Sequence, residues 1–188
     1  MQSEHALTQK LATRRLFFAL WPTETLREQI EELVRPVLSG CNARPIPPAN
    51  FHVTLAFLGS VTDDALASIM DAAGQIDSEA FELTFDHVET WMSAHIACLA
   101  ITPAPAPLTR LVDRLRSSLW VRNVDADRKE FKAHVTLARD WHDRTLDEPI
   151  DPLSWSATQF VLVESKAGDA GSEYTILDRW PLMPRSTD

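Results

Sequence analysis

The pentapeptide His52-Val53-Thr54-Leu55-Ala56 returns unchanged as His134-Val135-Thr136-Leu137-Ala138, 82 positions later. In an extended strand successive side chains point to opposite faces. His and Thr of each copy therefore share one face, and Val and Leu share the other. The aliphatic pair belongs to a core, which leaves the His-Thr pair for a cleft, twice. If the copies lie side by side across a pseudo-twofold axis, two imidazoles and two hydroxyls converge on one pocket. With unperturbed pKa values of about 6.5, one imidazole can take a proton from a nucleophile while the other gives one to a leaving oxygen. Threonine hydroxyls can donate to the non-bridging oxygens, so the constellation suits a phosphoester.

The other residues with chemical potential form no competing centre. His5, His87, His95 and His142 share no motif, and the chain has no His-x-x-x-His, cysteine cluster or P-loop. Neither a metal, nor a cofactor, nor nucleotide hydrolysis of the P-loop type is expected. No serine sits in a nucleophile-elbow pattern. Cys41 and Cys98 read as small hydrophobes without a disulfide framework, which points to a reducing, cytoplasmic compartment. A net charge of −9, from 27 acidic and 18 basic residues, argues against duplex DNA or a membrane surface as partner, because both demand an excess of Lys and Arg.

The elements that must position the two motifs follow from periodicity. With 188 residues the chain has room for one domain, or two small lobes, with a sizeable core. Leu16 to Trp21 is an apolar run ended by Pro22, too short for a secretory signal, and is expected as a buried first strand. No run approaches the roughly 20 apolar residues of a membrane span. Leu26, Ile30, Leu33, Val34 and Val37 trace one face of a helix opened by Pro22-Thr23 and closed near Ser39-Gly40. The proline-rich Arg44 to Pro48 delivers the chain extended into a strand over residues 51–58. Thr62 is expected to cap a second helix with Asp63 and Asp64 in its first turn. Strands over 81–88 and 94–101, a third helix through Leu108 to Leu119, and strands at 132–139, 156–165 and 173–180 complete an α+β order with mainly antiparallel sheets. Residues 1–13 are expected as a loose leader and 184–188 as a tail.

The two motifs, in the contexts Asn50 to Gly59 and Phe131 to Arg139, resemble the 2H phosphoesterase superfamily, and within it the RNA 2′,3′-cyclic phosphodiesterase group, historically 2′-5′ RNA ligases. Arg15 to Leu20, Tyr174 to Leu177 and Trp180 to Leu182 extend the likeness over most of the chain. The resemblance implies a single bilobal domain over 14–183, a pseudo-twofold duplicate with flanking helices and a cleft between the lobes. It implies that His52 and His134 are the catalytic pair, Thr54 and Thr136 the phosphate contacts, and Arg139 a further phosphate or nucleotide contact. Regular strand parity would aim Arg139, five residues past His134, at the opposite face, so the strand must end or bulge before it. The implied activity is hydrolysis of RNA or nucleotide 2′,3′-cyclic phosphate ends; with two acid/base imidazoles and no ligand cluster it is expected to need no metal, and a monomer is expected. The implied product is a 2′-phosphomonoester, with His52 as the acid at O3′ and His134 as the base for water. A 2′-5′ linkage or an ADP-ribose cyclic phosphate is the alternative substrate, and a non-catalytic RNA-end-binding module the alternative class. Residues 110–144, with nine basic residues against six acidic, could receive an RNA end, and Phe51, Phe57 or Phe131 could stack a base.

Overall fold

Both faces of the first strand are apolar, and in the computed structural model, which describes residues 12–101, 103–168 and 171–184, both are buried. Strand β1 (Thr13–Leu20) sends Leu16, Phe18 and Leu20 into the main core and Phe17 and Ala19 into a smaller cluster on the other side. This two-sided burial fits an interior strand. The strand begins at Thr13, inside the expected leader. The rest of that leader up to residue 11, and the expected tail beyond Pro184, lie outside the described residues.

Helix α1 (Glu24–Leu38) follows, with the Thr23 hydroxyl accepting the Leu26 N–H, a cap worth about 1 kcal/mol. The chain then pairs briefly as β2 (Arg44–Pro45) and runs through a 3-10 turn at Pro48–Asn50 into β3 (Val53–Thr62). Next come α2 (Leu66–Gly74), β4 (Phe81–Trp91), β5 (Ile96–Ala100), α3 (Ala106–Val121), β6 (His134–Arg139), β7 (Asp147–Ala157), β8 (Gln159–Gly168) and β9 (Gly171–Pro181). Thr62 caps nothing. It ends β3, and a 3-10 turn over Asp63–Ala65 precedes α2, because the Asp63 carboxylate is drawn off by Arg14 Nε at 2.7 Å. The expected strand at 156–165 is two strands, β7 and β8, meeting at Thr158. Pro149 and Pro152 hide β7 from a periodicity reading, and β7 tolerates them because it lies at the edge of the sheet.

The strands form one sheet in the order β7-β4-β5-β6-β3-β1-β8-β9, with β2 paired to β6. Every pairing between these named strands is antiparallel. The sheet divides into two four-stranded halves, β3-β1-β8-β9 and β6-β5-β4-β7, joined through one residue pair, Val53 opposite Val135. The 82-residue offset of the motif extends well beyond it. It carries β1 onto β5, the first residue of α1 onto the first residue of α3, and β3 onto β6. Each half thus repeats a β-α-β unit about an axis through the Val53–Val135 pair, which gives the expected bilobal duplicate.

The helices cover one face. Leu26, Ile30 and Val34 of α1 and Leu108, Leu111, Val112, Leu115 and Leu119 of α3 pack with Leu16, Phe18, Val53, Leu55, Val135 and Leu137 in the main core. The opposite face, carrying Phe17 and Ala19, is free for a site. Among the described residues no helix is long and apolar enough to cross a membrane.

Candidate active site

With Val53 opposite Val135 in an antiparallel ladder, His52 falls across from Thr136 and Thr54 across from His134. Val53 and Val135 are fully buried on the helix side, so the four polar residues share the uncovered face. Beyond this point each motif strand carries a bulge, and the two bulges are symmetry mates. Thr54 and Ala56 face Ala19 and Phe18, leaving Leu55 extra. Thr136 and Ala138 face Cys98 and Ala97, leaving Leu137 extra. Leu55 and Ala56, like Leu137 and Ala138, are consecutive yet all buried in the main core. The added residue resets strand parity and turns the next side chain of each strand, Phe57 or Arg139, onto the cleft face. Both line a cleft of about 750 Å³ together with His52, Thr54 and Thr136. The parity obstacle to Arg139 is removed by the bulge it requires.

Both imidazoles are oriented in the same way. His52 Nδ1–H donates to the Asn50 carbonyl at 2.7 Å, and His134 Nδ1–H donates to the Lys132 carbonyl at 2.7 Å. A carbonyl only accepts, so the proton of each neutral ring sits on Nδ1 and the Nε2 lone pair is left for chemistry. Asn50 is itself anchored, its Nδ2 donating to the Ser172 carbonyl of β9 at 3.0 Å. His52 Nε2 lies 3.1 Å from Thr54 Oγ1. When His52 is neutral the threonine donates to it. When His52 is protonated the direction reverses, and the hydroxyl hydrogen is released toward the cleft.

The surroundings set the proton affinities. His52 stacks on Trp21 (ring centroids 5.4 Å apart, 9° between planes), with Phe17 at 5.0 Å and the edge of Tyr174 at 5.4 Å. Burial among these rings lowers its pKa to about 4. The Asn50 carbonyl opposes that shift, and the charges of His134 and Arg139 add to it. His134 lies 4.3 Å from Trp91 and is also lowered, by burial first and by Arg139, against the Lys132 carbonyl and Glu89. The unfolded chain therefore takes up these protons at higher pH than the folded one, and stability falls as pH drops from about 6.5 toward 4. Urea denaturation at pH 7 and pH 5 is expected to show this loss in the wild type and a smaller one in His52→Gln.

The cleft's other cations are Arg15, which the family likeness includes without a role, and Arg44 of the proline-rich approach; neither is expected as a site residue from the sequence. The basic stretch at 110–144 does not form the expected receiving surface. Of its members Arg139 lines the cleft and Lys132 lies over Trp91 at 5.8 Å. Elsewhere Arg122 pairs with Asp71, Arg114 donates to the Asp77 carbonyl, and Arg128 covers Trp120. Of the three phenylalanines, Phe51 is buried and Phe131 packs against the core, while Phe57 lines the cleft. The aromatic supports of the histidines were the residues missed. Trp21 was within reach, since strand parity places positions 17, 19 and 21 on the histidine face. A second histidine pair, His95 and His142, has ring centroids 4.5 Å apart. Both rings are exposed, His95 in a turn and His142 in a loop, and neither carries the His-x-Thr spacing. Among the described residues no group of three or more His, Cys, Asp or Glu is placed to hold a metal ion.

Residues 20–96 match the family model described as LigT like Phosphoesterase. The chain is 32% identical over 170 residues, 90% of its length and 97% of the relative's, to the RNA 2′,3′-cyclic phosphodiesterase of Escherichia coli. It is 27% identical over 183 residues, 89% of its length and 90% of the relative's, to the protein of that name from Thermus thermophilus. The crystal structure of E. coli LigT complexed with 3′-AMP superposes with a TM-score of 0.84 at 31% identity, over 91% of this chain and 99% of that one. The doubled motif, the duplicated half-sheets and these likenesses agree: the chain belongs to the LigT-like RNA 2′,3′-cyclic phosphodiesterase family of the 2H phosphoesterases.

Proposed function

We propose that residues 14–183 form one catalytic unit that opens 2′,3′-cyclic phosphates at RNA or nucleotide ends, with His52 and His134 as its acid/base pair. The carrying observation is that two imidazoles, each fixed by an Nδ1–H bond to a main-chain carbonyl two residues back, stand on adjacent strands on either side of the Val53–Val135 pair, His52 lining the cleft and His134 opposite its Thr54, with Nε2 unclaimed by the backbone. In-line displacement at phosphorus needs a base behind the attacking water and an acid at the departing oxygen. His134 is read as the base and His52 as the acid at O3′, which leaves a 2′-phosphomonoester. A ring whose pKa burial lowers to about 4 holds no proton in the empty cleft at neutral pH, so the acid must be charged on binding. The negative charge of the diester supplies the compensation, and proton uptake accompanies substrate. Protonation of His52 also frees the Thr54 hydroxyl to donate to a non-bridging oxygen, with Thr136 as its symmetry mate. Arg139 contributes the fixed positive charge.

A single chain acting in a reducing cytoplasm on RNA ends, rather than on duplex DNA, accords with the net charge of −9 and the two unpaired cysteines. The test is turnover of a nucleoside 2′,3′-cyclic phosphate in excess EDTA, with the product read by phosphorus NMR. Full activity and a 2′-phosphate are expected. A strict requirement for added divalent metal would overturn the mechanism, and a 3′-phosphate would move the acid to O2′.

Thr54→Ala and Thr136→Ala are expected to lower kcat/KM by about tenfold each, less than the histidine changes. Each removes one hydrogen bond to phosphate, a contact worth about 1–2 kcal/mol, and leaves the proton-transfer pair in place. Steady-state kinetics with a parallel melting curve checks this, since a folding defect would show as a lowered Tm.

A further inference from the structure

Three arginines, Arg15, Arg44 and Arg139, line the cleft, and they differ in what holds them. Arg44 is paired with Asp140 at 3.0 Å. Arg139 and Arg15 have no carboxylate partner among the described residues. Arg139 sits with the histidines and serves the reacting phosphate. Arg15 lies elsewhere. It occupies the same face of β1 as Phe17 and Ala19, opposite Ser165 of β8, and lines the outer part of the cleft. Ala19 is the β1 residue opposite Thr54, and four residues of strand separate it from Arg15, about 13 Å. The guanidinium lies over the Phe57 ring, 4.9 Å from its centroid, an arrangement that fixes the group while its N–H edges remain available.

Charges of both signs stand around the site. Beside His134 stands Glu89, which accepts the Trp91 indole N–H at 2.6 Å and whose charge is felt by His134. On the His52 side the wall carries Arg15 over Phe57. Glu173 also lines this side, and its carboxylate is folded against Gly168 at the β8–β9 hairpin. Glu89 stands outside the cleft lining with Lys132 near it over Trp91, so the charges that meet a polyanion in the cleft are Arg15, Arg44 and Arg139 against Glu173, and Arg15 is the cation away from the histidines that no carboxylate among the described residues holds. From this we propose that Arg15 is a second phosphate contact, receiving the phosphate on the 5′ side of the terminal nucleotide, so that the enzyme selects RNA chain ends over free nucleoside cyclic phosphates. The inference rests on the cyclic-phosphodiesterase reading above and extends it from the reacting group to the class of substrate.

Three substrates separate the contributions: a nucleoside 2′,3′-cyclic phosphate with a 5′-hydroxyl, the same nucleoside with a 5′-phosphate, and a dinucleotide ending in that cyclic phosphate. The wild type is expected to favour the second and third over the first by about tenfold in kcat/KM, expressed in KM, the scale of one charge-assisted contact in a partly exposed site. Arg15→Gln is expected to erase that ratio and Arg15→Lys to retain most of it. On the dinucleotide, Arg15→Gln should also flatten the slope of log kcat/KM against log salt by about 0.7, one phosphate contact to a single strand. No wild-type preference overturns the proposal. So does an equal loss on all three substrates in Arg15→Gln, which would make the residue part of the wall, or a preference for the dinucleotide that the 5′-phosphate alone does not reproduce, which would assign it to the second base. A wild type that opens none of the three would instead fail before any variant is made, and would overturn the catalytic reading itself.

Discussion

Alanine at His52 or at His134 is expected to lower kcat by about 10²–10⁴, the range for loss of one general acid or base. The double variant is expected to lose far less than the product of the two effects, because once one proton transfer is gone the other no longer completes the displacement. The two residues start from different surroundings. His52 is enclosed by Trp21, Phe17 and Tyr174, whereas among the described residues His134 leans on a single aromatic ring, Trp91. His52→Ala therefore also opens a cavity among aromatic rings and is expected to lower Tm more than His134→Ala does. Asparagine at each position separates the losses: it preserves much of the ring's volume and restores stability without restoring turnover. Single-turnover kinetics with melting curves of all four variants checks this. Near-wild-type turnover in either alanine variant would remove that histidine from the reaction.

Arg139→Ala is the second large effect, expected to lower kcat/KM by about 10²–10³, comparable to loss of one pre-organised donor at a developing anion. Arg139→Lys is expected to recover only part, since an ammonium supplies charge without the planar fork that grips two oxygens. The residue reaches the cleft only because Leu137 is bulged. Deleting Leu137 would straighten β6 and leave Arg139 four residues past His134, where regular alternation keeps it on the cleft face, so the deletion is expected to retain far more of kcat/KM than Arg139→Ala does. Kinetics well above those of Arg139→Ala, with both proteins folded by circular dichroism, would show that parity governs the arginine's reach. A loss equal to that of Arg139→Ala would show that it does not.

What was legible in the sequence follows from range. The His-Thr face and the Val-Leu face come from alternation within five residues, and the buried stripes of α1 and α3 from periodicity within four turns. Both are local, and both stand in the fold. The bulge at Leu137 was inferable only as a condition, because a bulge is a mismatch between two strands and the register lies in neither alone. Trp91 escaped because β4 runs three residues past its expected end at position 88, and the tryptophan meets His134 through pairing of β5 with both β4 and β6. The basic stretch misled for the opposite reason. Its charges cluster along the chain, but a helix distributes them around its axis, and Arg122 finds a partner on α2 rather than in the cleft.

The two half-sheets meet at the single rung Val53–Val135, and each contributes one imidazole and one hydroxyl at that rung. On the proposed reading neither half contains a catalyst by itself. A chain holding one copy of the β-α-β unit would possess a proton donor or a proton acceptor but not both, and could assemble the pair only by joining a second copy of itself through this rung. Fusing the two copies frees each to change separately. The equivalent positions Phe57 and Arg139 have used that freedom, one supplying an apolar wall and the other a cation, a division of labour that a symmetric pair of identical chains could not adopt.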